Sequence, residues 1–229
     1  MKETIQIAID GPAGAGKSTV AKILAQQLKF IYIDTGAMYR ALTYKILEEE
    51  IDITNKSLLI KITQNTIITF ENGQGINNQR IYCNQKDVTE LIRTPHVNQY
   101  VSKIASIPEI RSIMVDMQRK LSLTTNVIMD GRDIGTVVLP QAKYKFFLTA
   151  SLQERAKRRC KEFNEKGFEI SYQTVLNDIQ KRDMLDMTRE IAPLKPAKDA
   201  IFIDTSNLTL NEVVDKIYKI VMEGENNAL

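Results

Sequence analysis

The sequence predicts an α/β protein with a parallel sheet. Three observations predict it. Strand-like runs followed by helical periodicity recur along the 229 residues. A glycine-rich loop joins the first strand to the first helix. The rhythm breaks only between about residues 55 and 106, where two alternating runs read as a hairpin. A parallel crossover needs a helix, so that stretch is read as an insertion between the second and third core strands.

The elements follow in order. Residues 5–9 are an apolar strand running into Gly11. Residues 18–28 carry Val20, Ile23, Leu24 and Leu28 on one helical stripe. Residues 31–33 form a short second strand, and residues 37–47 a second helix. Within the insertion, residues 66–70 and 80–83 pair across a polar turn at 72–75. The third strand covers 126–129 and ends at Asp130, the fourth 145–148, and the fifth 201–203, ending at Asp204. Capping boxes at Ser151/Glu154 and Thr209/Glu212 open the helices after the last two strands. Val213, Val214, Ile217, Ile220 and Val221 make the final helix amphipathic. The tail from residue 223 is expected to fray, and Met184 and Met187 to pack.

Composition narrows the function. Thirty-one basic residues against 28 acidic ones leave a net charge of +3, too little for a nucleic-acid-coating surface. Cys83 and Cys160 lie far apart and, with one histidine in the chain, offer no zinc spacing. They read as reduced thiols of a cytosolic protein. The first apolar run is too short for a leader or a membrane span.

The sharpest motif is Gly11-Pro12-Ala13-Gly14-Ala15-Gly16-Lys17-Ser18, with Thr19 behind it. It fits the phosphate-binding pattern G-x-x-x-x-G-K-[ST] and sits where that pattern must sit, between a strand and a helix. Its glycines let amides turn toward phosphate oxygens at the positive end of a helix. Lys17 is placed to follow charge on the transferring phosphoryl, and Ser18 to offer a hydroxyl to Mg²⁺. Asp130 holds the end-of-strand position of a carboxylate that orients the ion through water. No guanine-reading Asn/Thr-Lys-x-Asp segment accompanies the loop.

A second phosphate site is indicated by Thr35 and Arg40, just past the second strand. An acceptor that is itself a phosphate ester needs cations to offset repulsion, and arginine binds such oxygens bidentately. Arg40, Arg132, Arg182 and Arg189 fall at element edges, Arg40 and Arg132 beside turns expected at 35–36 and 130–131. Arg155, Arg158 and Arg159 share one helical face where a lid would close over ATP. These residues point to a kinase of a small phosphorylated molecule. A nucleotide-binding switch and a kinase for another acceptor such as UMP stay open at this point.

The segments 9–18, 34–40, 92–94, 130–138, Arg182-Asp183 and 192–194 together resemble the bacterial cytidylate kinase family. The resemblance runs from about residue 5 to 221. It implies the P-loop nucleoside monophosphate kinase fold: a five-stranded parallel sheet flanked by helices, an inserted monophosphate-binding subdomain with a small antiparallel sheet, and a short lid. It implies one kinase domain over 1–229, with core 1–54 and 107–229, insertion 55–106 and lid about 151–185. The implied reaction is transfer of the γ-phosphoryl of ATP, with Mg²⁺, to CMP or dCMP by a cytoplasmic monomer. By resemblance, Thr35, Arg40 and Arg132 grip the CMP phosphate, and Ser102, Arg111 and Asp133 read cytosine. Arg182, Asp186 and Arg189 meet the sugar and phosphate, and Arg155 and Arg159 close on ATP. Lys17, Arg132, Arg155 and Arg159 are then the catalytic cations.

Overall fold

A computed structural model describes residues 4–72, 79–165 and 167–226. The strands and helices are β1 (Gln6–Asp10), α1 (Lys17–Leu28), β2 (Ile31–Asp34), α2 (Thr35–Glu48), α3 (Lys56–Gln64), β3 (Ile68–Asn72), β4 (Gln79–Cys83) and β5 (Lys86–Asp87). They continue as α4 (Pro95–Ala105), α5 (Pro108–Leu121), β6 (Val127–Gly131), β7 (Tyr144–Thr149), α6 (Leu152–Glu165), α7 (Tyr172–Thr188), β8 (Ile201–Asp204) and α8 (Leu210–Asn226). A short π-helical segment, Ile134–Val138, follows β6.

The strands form a five-stranded sheet in the order β2-β6-β1-β7-β8 and a three-stranded sheet β3-β4-β5. β1 lies between β6 and β7, paired in parallel with both, so the loop that leaves it emerges between two neighbours. The antiparallel pairing of β3 with β4 is as expected, and β5 adds a strand not foreseen. Residues 73–75 of the expected turn lie outside the described residues.

The chain divides into two compact units, residues 1–32 with 125–229, and residues 33–124. In the first, Ile7, Ile9, Val20, Leu24, Ile128, Phe146, Leu148, Val213, Ile217 and Val221 form one core. The stripe of the last helix is therefore buried as its period requires. In the second, Met38, Leu42, Ile46, Leu59, Ile81, Ile92, Ile104, Ile110 and Met114 are buried. The segment 55–106 lies wholly within this unit, which extends beyond it at both ends through α2 and α5.

Several local expectations need correction. The turn expected at 35–36 is the first turn of α2, because the Asp34 carboxylate caps the helix by accepting from the Ala37 amide at 2.7 Å. Residues 130–131 complete β6. Helix α8 continues to Asn226 instead of fraying at 223. Met184 and Met187 are exposed, at 67% and 54%. The capping box at Thr209 is complete: its amide and hydroxyl donate to Glu212 while its Oγ1 accepts from the Glu212 amide. The box at Ser151 is half formed, since the Glu154 carboxylate accepts from Arg158 and the Ser151 amide donates to Ser206.

Candidate active site

The phosphate loop spans the gap between β1 and α1. Gly11 has φ +148°, and a Cβ there would stand 1.9 Å from the Leu148 carbonyl oxygen on β7. No larger residue fits that close approach. Gly16, the N-cap of α1, brings no side chain to its helix, so the first-turn amides stay available to an anion.

Lys17 is 5% exposed, and its Nζ donates to the Pro12 carbonyl at 2.7 Å. Burial, with the Arg132 and Arg182 charges nearby, lowers its pKa from 10.5 to about 7, against the pull of Asp130 and Asp10. Ser18 Oγ donates to Asp130 Oδ2 at 2.8 Å, and the Tyr32 hydroxyl donates to Asp130 Oδ1 at 2.7 Å. This hydroxyl–carboxylate pair offers the hard oxygens that Mg²⁺ takes. Among the described residues no cluster of three or more His, Cys, Asp or Glu could hold a metal.

Asp10 closes β1 and carries a role the sequence reading did not assign. Its oxygens accept from the Ile134 and Gly135 amides at 2.8 and 2.7 Å, which fixes the segment that follows Arg132 and Asp133. Burial raises its pKa to about 6, although those two amides oppose the rise. An acid ending an otherwise apolar strand was the available signal.

Next to the loop, α7 gathers the arginines. Arg132 Nε donates to Asp186 Oδ2 at 2.8 Å. Arg189 lies 3.4 Å from Asp133 Oδ1 and 3.9 Å from Asp186 Oδ1. Burial opposes charge on Asp186, but Arg132, Arg182 and Arg189 outweigh it and hold its pKa below the ordinary value. Burial likewise opposes charge on Arg132, and Asp186 above all reverses the effect. Five predicted residues, 132, 133, 182, 186 and 189, thus form one charged group.

The three arginines of α6 part ways. Arg155 is 7% exposed; its Nε donates to the Ala150 carbonyl and its Nη1 to the Ala13 carbonyl, both at 3.0 Å. Arg158 binds Thr205 through the hydroxyl and the carbonyl, at 3.0 and 2.8 Å, and pairs with Glu154. Arg159 pairs with Glu162 at 2.6 Å over the Phe163 ring. The i, i+3, i+4 spacing grouped them on the helix but did not give them one partner.

In the second unit, Thr35 opens α2 and is buried. Asp34 gathers Arg40 at 3.2 Å and Arg93 at 3.9 Å. Arg111 on α5 is buried, donates to the Ala105 carbonyl at 3.1 Å and lies over the Tyr39 ring. Ser102 sits on α4. The sequence reading missed Asp34 and Arg93, although an acid immediately before a helix was a visible cap signal.

The family described as cytidylate kinase matches residues 7–223. A cytidylate kinase of Carboxydothermus hydrogenoformans is 51% identical over 217 residues, 95% of this chain and 97% of its own. One from Alkaliphilus oremlandii is 52% identical over 219 residues, 96% of this chain and 98% of its own. The crystal structure of an uncharacterised protein from Eubacterium ventriosum superposes with a TM-score of 0.52 at 14% identity, covering 96% of this chain and 99% of that one, a likeness of fold alone. The chain belongs to the cytidylate kinase family.

Proposed function

We propose that the chain transfers the γ-phosphoryl group of ATP to CMP or dCMP, giving ADP with CDP or dCDP. The observation that carries this reading is a phosphate loop bordered by a carboxylate–arginine array within one compact unit. An acceptor phosphate oxygen is already nucleophilic, so no side chain needs to act as a base. That oxygen bonds to the γ-phosphorus as the bond to the β-phosphate oxygen breaks. Catalysis is then positioning and charge stabilisation.

Lys17 would leave the Pro12 carbonyl for the β- and γ-phosphates, with Arg132, Arg155 and Arg159 neutralising the remaining charge. Ser18, with Asp130 behind it, would hold Mg²⁺, which when bound would further neutralise the phosphate oxygens. The loop amides of residues 11–19 hold the donor. Thr35, Arg40 and Arg132 are assigned to the acceptor phosphate. Arg182, Asp186 and Arg189 are assigned to its sugar and phosphate. Ser102, Arg111 and Asp133 are assigned to cytosine, whose exocyclic amine a carboxylate accepts while it repels the uracil carbonyl.

The proposal includes the domain scheme of core, 55–106 insertion and 151–185 lid, and a cytoplasmic monomer. Cys83 and Cys160 are free thiols. No helix among the described residues is long and apolar enough to cross a membrane.

The test is ADP formation from Mg-ATP with CMP, dCMP, UMP, AMP or no acceptor. Turnover with CMP and dCMP alone is the expected result. Equal turnover with UMP would remove the role given to Asp133. Turnover independent of any acceptor would replace the kinase with a nucleotide switch.

A further inference from the structure

Asp183 has no part in the reaction as described above, yet it is 7% exposed at the edge of the phosphate loop. Its Oδ1 accepts from the Ala13 amide at 3.2 Å. Its Oδ2 pairs with Arg155 Nη1, which also donates to the Ala13 carbonyl at 3.0 Å. The Ala13 residue is therefore held by both of its backbone polar groups, one by a carboxylate from α7 and one by a guanidinium from α6. Gly14 seats the next residue against the same helix: a Cβ there would come within 3.0 Å of the Arg155 Cβ and carbonyl oxygen. The Arg155 Nε is committed to Ala150, which leaves Nη2 as the edge without a hydrogen bond among the described residues.

We propose that Asp183 is a positioning residue that fixes the phosphate loop through Ala13 and aims the free edge of Arg155 at the phosphoryl group. Two effects follow and are separable. The bond to the Ala13 amide shapes the loop and should govern ATP affinity. The charge pairing with Arg155 fixes the guanidinium and should govern turnover. This rests on the kinase reading for turnover but not for affinity.

The experiment compares wild type, Asp183→Ala, Asp183→Asn, Arg155→Met and the Asp183→Asn/Arg155→Met double variant, all in the full chain. ATP affinity is measured by calorimetry and steady-state rates are measured with CMP. Asp183→Ala should weaken ATP binding about fivefold, the worth of one buried hydrogen bond. Asp183→Asn retains an acceptor for the Ala13 amide and should bind ATP within about twofold of wild type. Both should lower kcat about tenfold or more, with KM for CMP within about twofold. In the Arg155→Met background the Asn substitution should cost less than about twofold in kcat, because the partner it positions is gone.

ATP binding by Asp183→Ala equal to wild type would overturn the loop role. An undiminished tenfold effect of the Asn substitution without Arg155 would overturn the pairing role. If Asp183→Ala does not fold, the Asn variant and the double-variant comparison decide. If wild type turns over no acceptor, the kinase reading fails while the ATP affinities still decide the loop role.

Discussion

The phosphate loop and the α7 face handle buried cations in opposite ways. Lys17 hydrogen-bonds a carbonyl, and burial beside Arg132 and Arg182 brings its pKa to about 7. Arg132 and Arg189 meet the carboxylates of Asp186 and Asp133. A loop lysine without a direct carboxylate partner gains a full charge partner when a polyphosphate arrives. Arg132 and Arg189 already have theirs, so a phosphate arriving there would have to replace a carboxylate it resembles. On the proposed function, the loop would bind an anion strongly and the array would exchange one anion for another.

Removing the loop cation breaks this comparison most severely. Lys17→Met should lower kcat by about a hundred- to a thousandfold, as loss of one preorganised charge-stabilising group does. Steady-state kinetics on the folded variant would check it. Removing the α7 anion comes next. Asp186→Ala leaves Arg132 and Arg189 short of a buried counter-ion and should cost about 3–5 kcal/mol of stability. Urea unfolding would measure that loss.

The pH dependence sharpens the contrast. The Asp10 pKa is raised to about 6 from 3.8, so the fold binds the extra proton and stability falls as pH rises through that range. The Lys17 pKa is lowered from 10.5 to about 7, so the unfolded chain binds the extra proton and stability rises from pH 7 toward 10. Melting temperatures of the nucleotide-free protein should pass through a minimum near pH 6–7. The alkaline limb should disappear in Lys17→Met. The smallest effect lies far from either region. Thr209→Ala removes the completed α8 cap and should lower the melting temperature by about 2–4 °C with turnover unchanged.

The loop was legible in the sequence because its chemistry is local. Eight adjacent residues between a strand and a helix carry the whole signal. The sheet was legible through its strand–helix rhythm, and α8 through its buried stripe. The long-range carboxylate contacts were not legible, because each joins positions far apart in sequence. Asp183 meets Ala13, Asp186 meets Arg132, and Asp10 meets the 134–135 amides, and no spacing rule anticipates such contacts. Helical spacing grouped Arg155, Arg158 and Arg159 but could not show that Arg155 meets Ala13 and Asp183, Arg158 meets Thr205, and Arg159 stays with Glu162 and Phe163 of its own helix. Met184 and Met187 misled because apolar type was read as burial, whereas α7 turns them outward.

Burial beside Arg132 and Arg182 depresses the Lys17 pKa in the free protein, and an arriving phosphate should restore its proton. Calorimetry of ATP binding at pH 8, in buffers of different ionisation enthalpy, tests it directly. A lysine with a pKa of about 7 is mostly neutral there, so binding should take up close to one proton. Binding of ATP with no proton uptake would show instead that Lys17 is already charged in the free protein.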